Sequence, residues 1–227
     1  MKSLLRNIQG VSHVISRDEQ LPEFDVHYPI LSPPLIFRTR LEAIPAKIPY
    51  IVADRVLVKE WKDRVQSDNA KFRIGLVWSG NPKNKNDRSR SCPLNIFSTL
   101  AKIEGISFYS LQKGEASCQV KNPPDGMKLI DYTEEIYDFS DTAAFIENLD
   151  LIISVDTAVA HLAGALGKTV WALLPFAPDW RWMLNRKDSP WYPTMRLFRQ
   201  PSSGDWETMI EKVSKELHAK IRAHGCM

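Results

Sequence analysis

The chain has 227 residues, of which 44% are hydrophobic and 25% are charged. These shares are those of an ordinary globular protein, and they exclude a disordered or fibrous chain. Lysine and arginine outnumber aspartate and glutamate by 30 to 27, a net charge of +3, which is too small to indicate a nucleic-acid-binding protein.

The first fifty residues are rich in proline and poor in secondary-structure patterns. They hold six of the fifteen prolines, and proline fixes φ and removes a backbone donor, which disfavours helices and interior strands. Only residues 11–15 and 24–30 have the composition of strands. We therefore interpret residues 1–50 as part of a domain rather than as a domain that folds alone.

From residue 51 onward, short apolar runs alternate with helical patterns. Asp54 is a suitable N-cap for a helix with Val56, Trp61 and Val65 on one face. Six runs are predicted to be strands: 74–78, 106–111, 127–130, 151–155, 169–174 and 196–198. Four further segments are predicted to be helices: 94–103, 142–149, 157–166 and 206–223.

The apolar runs lack the alternation of a strand that exposes one face to solvent. Runs of this kind are typical of strands covered on both faces, which means a parallel sheet with helical crossovers. We therefore predict an α/β fold over residues 51–227, a Rossmann-like parallel sheet with helices on both faces.

Three features bear on the compartment. There are only three cysteines, Cys92, Cys118 and Cys226. So few cysteines, in an odd number, argue against a disulfide framework and favour a reducing compartment. The most apolar stretch, 155–177, is interrupted by charged side chains and does not predict a membrane span. The N-terminus lacks the apolar core of a signal peptide, so we predict a cytoplasmic protein.

In an open parallel sheet, ligands bind beyond the carboxyl ends of the strands, so the segments that follow strands are the informative ones. The segment 156–164 follows the predicted strand 151–155. Asp156 is positioned there as the N-cap of the next helix, because aspartate is a preferred N-cap residue.

That helix would present Thr157, His161 and Gly164 on one face, at the end where free N–H groups and the helix dipole attract anions. This pattern predicts a phosphate site. A bare carboxylate at Asp156 would repel phosphate, so we expect Asp156 to bind a sugar hydroxyl or to orient His161. The alternative is a capped core helix whose histidine is satisfied within the protein.

Two other segments that follow strands carry positive charge. Residues 78–82 precede an eight-residue run, 83–90, whose four cations and one aspartate give a net charge of +3, enough to attract a diphosphate. Residues 112–115 include Lys113, which can contact a phosphate, and Glu115, which can bind sugar hydroxyls. The alternatives are a solvated cationic loop and an ordinary surface turn.

Three of the seven tryptophans fall within twelve residues, 180–191. Aromatic rings in the wall of a crevice stack on bases and on sugar faces, so Trp180 and Trp182 are candidates for base or sugar stacking. The alternative is a rigid, proline-punctuated loop whose indole rings cover the edge of the sheet.

Several common motifs do not occur in the sequence. No G-x-G-x-x-G follows a predicted strand, which argues against a dinucleotide cofactor. No G-x-S-x-G occurs, and the segment 164–169 lacks the spacing and the strand-to-helix setting of a P-loop. There is neither an Asp-x-Asp pair nor a ligand-like spacing of histidines, so we predict no metal and no bound cofactor.

Three blocks of the sequence resemble one enzyme family in the same order. Residues 149–168 are similar to the donor-site motif of the heptosyltransferases, glycosyltransferase family 9. Residues 75–82 and 173–182 are more similar to a subgroup of bacterial proteins in which tetratricopeptide repeats are fused to a glycosyltransferase domain. The resemblance covers nearly the whole chain.

The resemblance implies the GT-B architecture, in which the second of two Rossmann-like domains holds most of the sugar-nucleotide donor. Residues 51–227 would be this donor-binding domain, and the fold would be the C-terminal half of GT-B. Residues 1–50 resemble only the tail of the first domain and would be its partial remnant.

The resemblance also implies a set of donor-binding residues. It comprises Ser79, Gly80, Asn81, Lys113, Asp156, Thr157, Ala158 and His161. In such a site a helix N-terminus, an imidazole and nearby cations would stabilise the departing nucleoside diphosphate. The family works without a catalytic metal, which agrees with the missing Asp-x-Asp pair.

The activity implied by the resemblance is metal-independent transfer of a sugar from a nucleotide-sugar donor to a hydroxyl of a saccharide or protein acceptor. No residue of the chain matches the acidic catalytic base of the family. A second interpretation is therefore a noncatalytic nucleotide-sugar-binding or interaction module that pairs with another chain or forms an oligomer. A nucleotide-sugar-modifying enzyme such as an epimerase is a third, although no acid–base pair for it is evident.

Overall fold

A computed structural model describes residues 1–6, 8–67 and 70–223 of the chain. His224 and Cys226 lie outside these residues. Cys92 is buried and Cys118 is exposed, and both are free thiols. Within the described residues, no helix combines the length and the apolar character needed to cross a membrane.

Six strands form one parallel sheet. They are β1 (Phe72–Val77), β2 (Ile106–Ser110), β3 (Leu129–Asp131), β4 (Leu151–Val155), β5 (Val170–Leu174) and β6 (Met195–Arg199). Their order across the sheet is β3-β2-β1-β4-β5-β6, and every neighbouring pair is parallel. All six predicted strands are confirmed, each within two residues of its predicted bounds.

The helices of the described residues vary widely in length. The α-helices are α1 (Lys2–Leu5), α2 (Pro33–Ile36), α3 (Arg55–Val65), α4 (Asp87–Arg90), α5 (Phe139–Glu147), α6 (Ala158–Ala165) and α7 (Trp206–Ala223). The 3₁₀ helices are Leu41–Ala43, Leu94–Thr99, Glu115–Lys121, Thr133–Glu135 and Trp180–Trp182. The predicted cap of α3 is confirmed, because the Asp54 carboxylate accepts hydrogen bonds from the N–H groups of Val56 and Leu57.

The helix predicted over 94–103 is wrong in type and length, since only the 3₁₀ helix Leu94–Thr99 forms there. Its buried side chains explain the difference. Leu94, Phe97, Leu100 and Ile103 are all buried, and they recur every three residues. That spacing matches the three residues per turn of a 3₁₀ helix better than the 3.6 of an α-helix.

Both faces of the sheet are covered, as the continuous apolar runs predicted. On one face, Ile152 of β4 packs in a core with residues of α3, α5 and α6. On the other face, its neighbours Leu151 and Ile153 pack in a core with residues of α7 and of the 3₁₀ helix after β1. Burial on both faces removes the polar alternation from each strand.

The described residues up to position 50 contain no strand, and among them only the side chain of Leu4 is buried. The strands predicted at 11–15 and 24–30 are therefore wrong. An apolar pattern forms a strand only where a neighbouring strand satisfies its backbone groups, and these segments do not pair with the sheet. A domain boundary at residue 50 stays a prediction.

The order of the strands reverses between β1 and β4, which are neighbours in the sheet. At such a switch point the loops leaving the two strands run in opposite directions and leave a crevice at the carboxyl ends. Val77 ends β1 and Val155 ends β4. The segments 78–82 and 156–157 therefore lie at the crevice.

Candidate functional site

A cavity of about 900 Å³ occupies the crevice at the switch point. Its lining comes from the segments that follow β1, β2, β3 and β4. These are Val77, 79–83, Arg90, 111–115, 136–139, Thr142 and 157–159. Cavities of this size bind nucleotide-sized molecules, and switch points of parallel sheets are the usual place for them.

Six of the eight predicted donor-binding residues line this cavity. They are Ser79, Gly80, Asn81, Lys113, Thr157 and Ala158. The other two, Asp156 and His161, lie beside the cavity and contact each other, with His161 Nε2 3.7 Å from Asp156 Oδ1. The structure thus brings together residues that are far apart in the sequence, and their binding roles stay predictions.

Thr157, and not Asp156, is the N-cap residue of α6. Its backbone is extended, with φ −137° and ψ 169°, and helical geometry begins at Ala158. The predicted N-cap was therefore wrong by one residue. None of the described side chains caps the helix, and residues 157–159 line the cavity. The first turn of α6 thus faces the cavity with its N–H groups uncapped by a side chain.

The cationic run after β1 divides into cavity-lining and solvent-exposed residues. Lys83 and Arg90 line the cavity, whereas Lys85 and Arg88 are exposed and are not part of the lining. Arg90 is fixed at both ends of its guanidinium, because Nε donates to Asp87 Oδ1 at 3.2 Å and Nη1 donates to the main-chain oxygen of Asp156 at 2.8 Å.

Gly80 allows Arg90 to take this position. A Cβ at residue 80 would clash with Asp87 Oδ1 and lie 2.6 Å from Arg90 Nη2, so these side-chain ends would have to shift. The Gly80 N–H donates to the Ser91 hydroxyl at 2.8 Å. The glycine thus leaves room for the guanidinium close to the backbone after β1.

Gln112 joins the loops after β1 and β2, a role that the sequence analysis missed. Its Oε1 accepts from the N–H groups of Trp78 (3.1 Å) and Ser79 (2.8 Å), and its Nε2 donates to the main-chain oxygens of Ser79 and Lys113. Gln112 is 2% exposed. A glutamine that directly follows an apolar strand was the available signal, because a buried amide needs such partners.

Lys113 lines the cavity with an ammonium group that is already held by the protein. Its Nζ donates to the main-chain oxygens of Thr133 at 2.7 Å and Ile136 at 3.0 Å. These bonds fix the segment after β3 against the end of β2. One of the three ammonium protons is left over for a ligand, so Lys113 would support a phosphate less strongly than Arg90.

Asp156 is buried and carries a charge that its neighbours stabilise. Burial favours the neutral acid, but the adjacent His161 ring, then the Trp182 indole N–H and the Arg181 guanidinium, outweigh it and lower the pKa of Asp156 below its usual value. The ionised carboxylate is a hydrogen-bond acceptor only. It lies next to the α6 N-terminus, where a negative charge is stabilised by the helix dipole.

The two candidate stacking residues have opposite environments. Trp182 is fully buried, and its ring stacks on His161 with centroids 5.1 Å apart and planes at 19°. Trp180 is 70% exposed and lies beside Arg181 and Trp191. The buried ring of Trp182 already stacks on the protein's own histidine, and its contact with a base or sugar stays a prediction. Trp180 keeps an exposed face and stays a candidate.

No protein-family model matches this chain. Protein FlbA of Caulobacter vibrioides is 26% identical over 184 residues, which are 79% of this chain and 30% of FlbA. The chain thus spans less than a third of the length of that relative.

Two solved structures are similar in fold. The ADP-heptose LPS heptosyltransferase II of Escherichia coli has a TM-score of 0.54 at 16% identity, over 78% of this chain and 55% of the enzyme. A family 9 glycosyl transferase from Veillonella parvula has a TM-score of 0.55 at 12% identity, over 74% of this chain and 52% of that one. The chain therefore has the α/β fold of GT-B glycosyltransferases and spans about half of their length.

Proposed function

We propose that this chain is the nucleotide-sugar-binding part of a glycosyltransferase, and that the complete enzyme transfers a sugar to an acceptor hydroxyl. The observation that carries the proposal is the cavity at the switch point, which the uncapped first turn of α6 faces beside Arg90. The fold shared with two glycosyltransferases supports the proposal.

The side of the cavity formed by α6 and the loop after β1 suits a diphosphate. Free N–H groups at a helix N-terminus bind anions, and the helix dipole adds to their effect. Lys83 and Arg90 contribute two positive charges to the lining there. The acidic side chains of the lining, Glu115 and Asp138, belong to the segments after β2 and β3 instead.

The opposite side, formed by the segments after β2 and β3, suits a nucleoside. Leu111, Ile136 and Phe139 give it an apolar surface, and the ring of Tyr137, 87% exposed, is available for stacking on a base. Glu115 lies on the same side and can accept hydrogen bonds from ribose hydroxyls. This distribution of apolar and charged groups supports a nucleoside diphosphate as the recognised part of the donor.

The sugar of the donor would extend from the diphosphate toward Asp156 and His161. The ionised Asp156 accepts hydrogen bonds from hydroxyl groups, and the His161 ring, whose side chain is 31% exposed, adds a second polar contact. Trp180, exposed on the same side of the sheet, can stack on a sugar face.

In the proposed reaction the acceptor oxygen forms a bond to the anomeric carbon, and the bond from that carbon to the diphosphate oxygen breaks. The electron pair of the broken bond goes to the diphosphate, where the α6 N-terminus and Arg90 would stabilise the new charge. The acceptor proton goes to a base that we do not assign to this chain. Among the described residues no three His, Cys, Asp or Glu side chains converge, and metal-independent transfer stays a prediction.

The resemblance seen in the sequence also supports a proposal about the complete protein and its compartment. We propose a bacterial, cytoplasmic enzyme whose acceptor is a saccharide or a protein. Fused tetratricopeptide repeats would present that acceptor, and a further domain or partner chain would complete the fold.

A thermal-shift panel tests the proposal directly. UDP, GDP, ADP and CDP, each alone and as sugar conjugates, are added to the protein in buffer with EDTA. A ligand at a hundred times its dissociation constant adds about 2.7 kcal/mol of stability, which moves the unfolding midpoint of a chain of this size by about 5–11 °C. We expect one nucleotide to give such a shift.

Two valine variants locate the effect. Thr157→Val removes a hydroxyl from the cavity lining and is expected to reduce the shift, whereas Thr208→Val, on the exposed side of α7, leaves it unchanged. If no nucleotide shifts the midpoint of a cooperatively unfolding sample, the proposed function is wrong for this chain.

A second candidate function is a noncatalytic module that binds nucleotide sugars and pairs with another chain. One observation favours it: nine large apolar side chains between residues 21 and 37 are each more than half exposed. They are Leu21, Phe24, Val26, Tyr28, Ile30, Leu31, Leu35, Ile36 and Phe37. Monomeric proteins rarely leave so many apolar side chains exposed in one segment, which is typical of an interaction surface.

Sedimentation velocity over a range of concentrations tests this candidate. We expect the chain to associate, and we expect Ile30→Asp with Leu31→Asp to keep it monomeric while leaving nucleotide binding unchanged. A wild-type chain that stays monomeric at about 100 μM would argue against self-association through this segment.

A further inference from the structure

The imidazole of His161 is held by groups on three sides. Its Nδ1 lies 3.1 Å from the Tyr192 hydroxyl. Its Nε2 lies 3.7 Å from Asp156 Oδ1, and its face stacks on Trp182. These contacts fix the orientation of the ring and the roles of its two nitrogens.

Tyr192 is itself fixed in place. Its ring packs on the backbone of α6 at Gly164, where a Cβ would lie 2.6 Å from the ring atoms. Its N–H donates to the Ser189 hydroxyl at 3.3 Å, and its side chain is buried. Burial, followed by a hydrogen bond with the Tyr50 side chain, raises the pKa of Tyr192 well above its usual value. Its hydroxyl therefore keeps its proton, which either His161 Nδ1 or the Tyr50 hydroxyl can accept.

Asp156 favours one tautomer of His161, and the Tyr192 hydroxyl is compatible with it. A neutral imidazole carries its proton on one nitrogen and accepts with the other. The ionised Asp156 beside Nε2 can only accept, which favours a proton on Nε2. The Tyr192 hydroxyl then donates to the unprotonated Nδ1.

We propose that Tyr192 is a positioning residue that keeps the proton of His161 on Nε2 and directs that N–H toward the ligand. This inference rests on the function proposed above. It identifies the residue that orients His161 beside Asp156, the two side chains proposed to bind the sugar. At 3.7 Å the Asp156 carboxylate attracts the Nε2–H without forming a close hydrogen bond, so an oxygen of a ligand bound beside the pair could accept from it. Asp156 beside it accepts from a hydroxyl, and together they match the donor and acceptor groups of a sugar.

The tautomer can be measured without any ligand. Long-range ¹H–¹⁵N correlation of the histidine rings at pH 8.5, where ordinary histidines are neutral, distinguishes the two nitrogens, and His161→Gln assigns the signals. We expect the wild-type His161 to carry its proton on Nε2. Tyr192→Phe is expected to shift the Nδ1 resonance toward that of a nitrogen without a hydrogen-bond donor.

Tyr109→Phe is the matched control for this experiment. The Tyr109 hydroxyl is also buried and donates to the main-chain oxygen of Val65 at 2.9 Å, but it does not contact His161. Its loss removes a buried hydrogen bond of the same kind and should leave the His161 signals unchanged. A proton on Nδ1 in the wild type, or equal changes in both variants, would overturn the proposal.

Ligand affinity provides the functional readout. Tyr192→Phe is expected to weaken binding of the nucleotide sugar by about fivefold, the worth of one hydrogen bond, and to change affinity for the nucleoside diphosphate by less than twofold. An equal loss of affinity for both ligands would indicate a merely structural role and would contradict the proposal. If neither ligand binds the wild type, the proposed function fails, while the tautomer measurement still decides whether Tyr192 positions His161.

Discussion

Replacing Trp182 by alanine is expected to lower the free energy of unfolding by about 3–5 kcal/mol, as for other fully buried tryptophans. The indole is fully buried in the core beneath α6 and stacks on His161, so its removal leaves a large cavity. Trp180→Ala is the matched control, because Trp180 lies two residues away and is 70% exposed. We expect it to change stability by less than about 0.5 kcal/mol.

Thermal unfolding of the three proteins measures this difference. For a chain of this size each kcal/mol corresponds to about 2–4 °C, so we expect the midpoint of Trp182→Ala to fall by about 6–20 °C and that of Trp180→Ala to stay close to the wild type. If instead Trp182→Ala keeps its midpoint but loses nucleotide-sugar binding, the ring contacts the ligand and its assignment to the core is wrong.

The strands of the sheet could be predicted because each is buried on both faces. A strand that is buried on both faces consists mainly of consecutive apolar residues, as in Leu151–Val155, where every residue is buried. Residues 24–30 alternate apolar and polar side chains, which is also typical of a strand, but no neighbouring strand pairs with them. Pairing is a tertiary property, and the local sequence does not contain it.

Most segments of the candidate site could be predicted from the sequence, but the segment after β3 and the contacts between the segments could not. The segments after β1, β2 and β4 were predicted because ligand sites follow strand ends in parallel sheets. The contacts within them join residues far apart in the chain: Gln112 bonds Trp78, 34 positions away, and Arg90 bonds the main chain of Asp156, 66 positions away. Such pairs follow from the strand order, which a single sequence does not specify.

Gly164 illustrates how one residue can be placed correctly and interpreted wrongly. Helical spacing put it on the same face as Thr157 and His161, and that face was interpreted as a phosphate site. In the structure the space beside Gly164 is filled by the ring of Tyr192, which packs on Gly164 and lies against His161. The face is therefore divided, with Thr157 at the cavity and His161 in an aromatic enclosure beside it.

Replacing Arg90 by glutamine is expected to weaken binding of the nucleoside diphosphate by about 10- to 150-fold. Hydrogen bonds to charged groups contribute about 1.5–3 kcal/mol, and each 1.4 kcal/mol is a tenfold change in affinity. Arg90 is fixed before a ligand arrives, because Asp87 and the main chain of Asp156 already orient it. Isothermal titration with the nucleotide identified in the thermal-shift panel measures the loss.

Arg88→Gln separates a specific contact from a general loss of charge. Arg88 lies in the same short helix, α4, and its removal changes the net charge equally, but it is exposed and is not part of the cavity lining. At physiological salt a charge beyond about 8 Å is largely screened, so we expect affinity within about threefold of the wild type. Equal losses in the two variants would mean that the whole cationic run attracts the ligand through its field. A loss confined to Arg90→Gln would mean that one pre-oriented guanidinium binds the diphosphate, as the contacts around Gly80 lead us to expect.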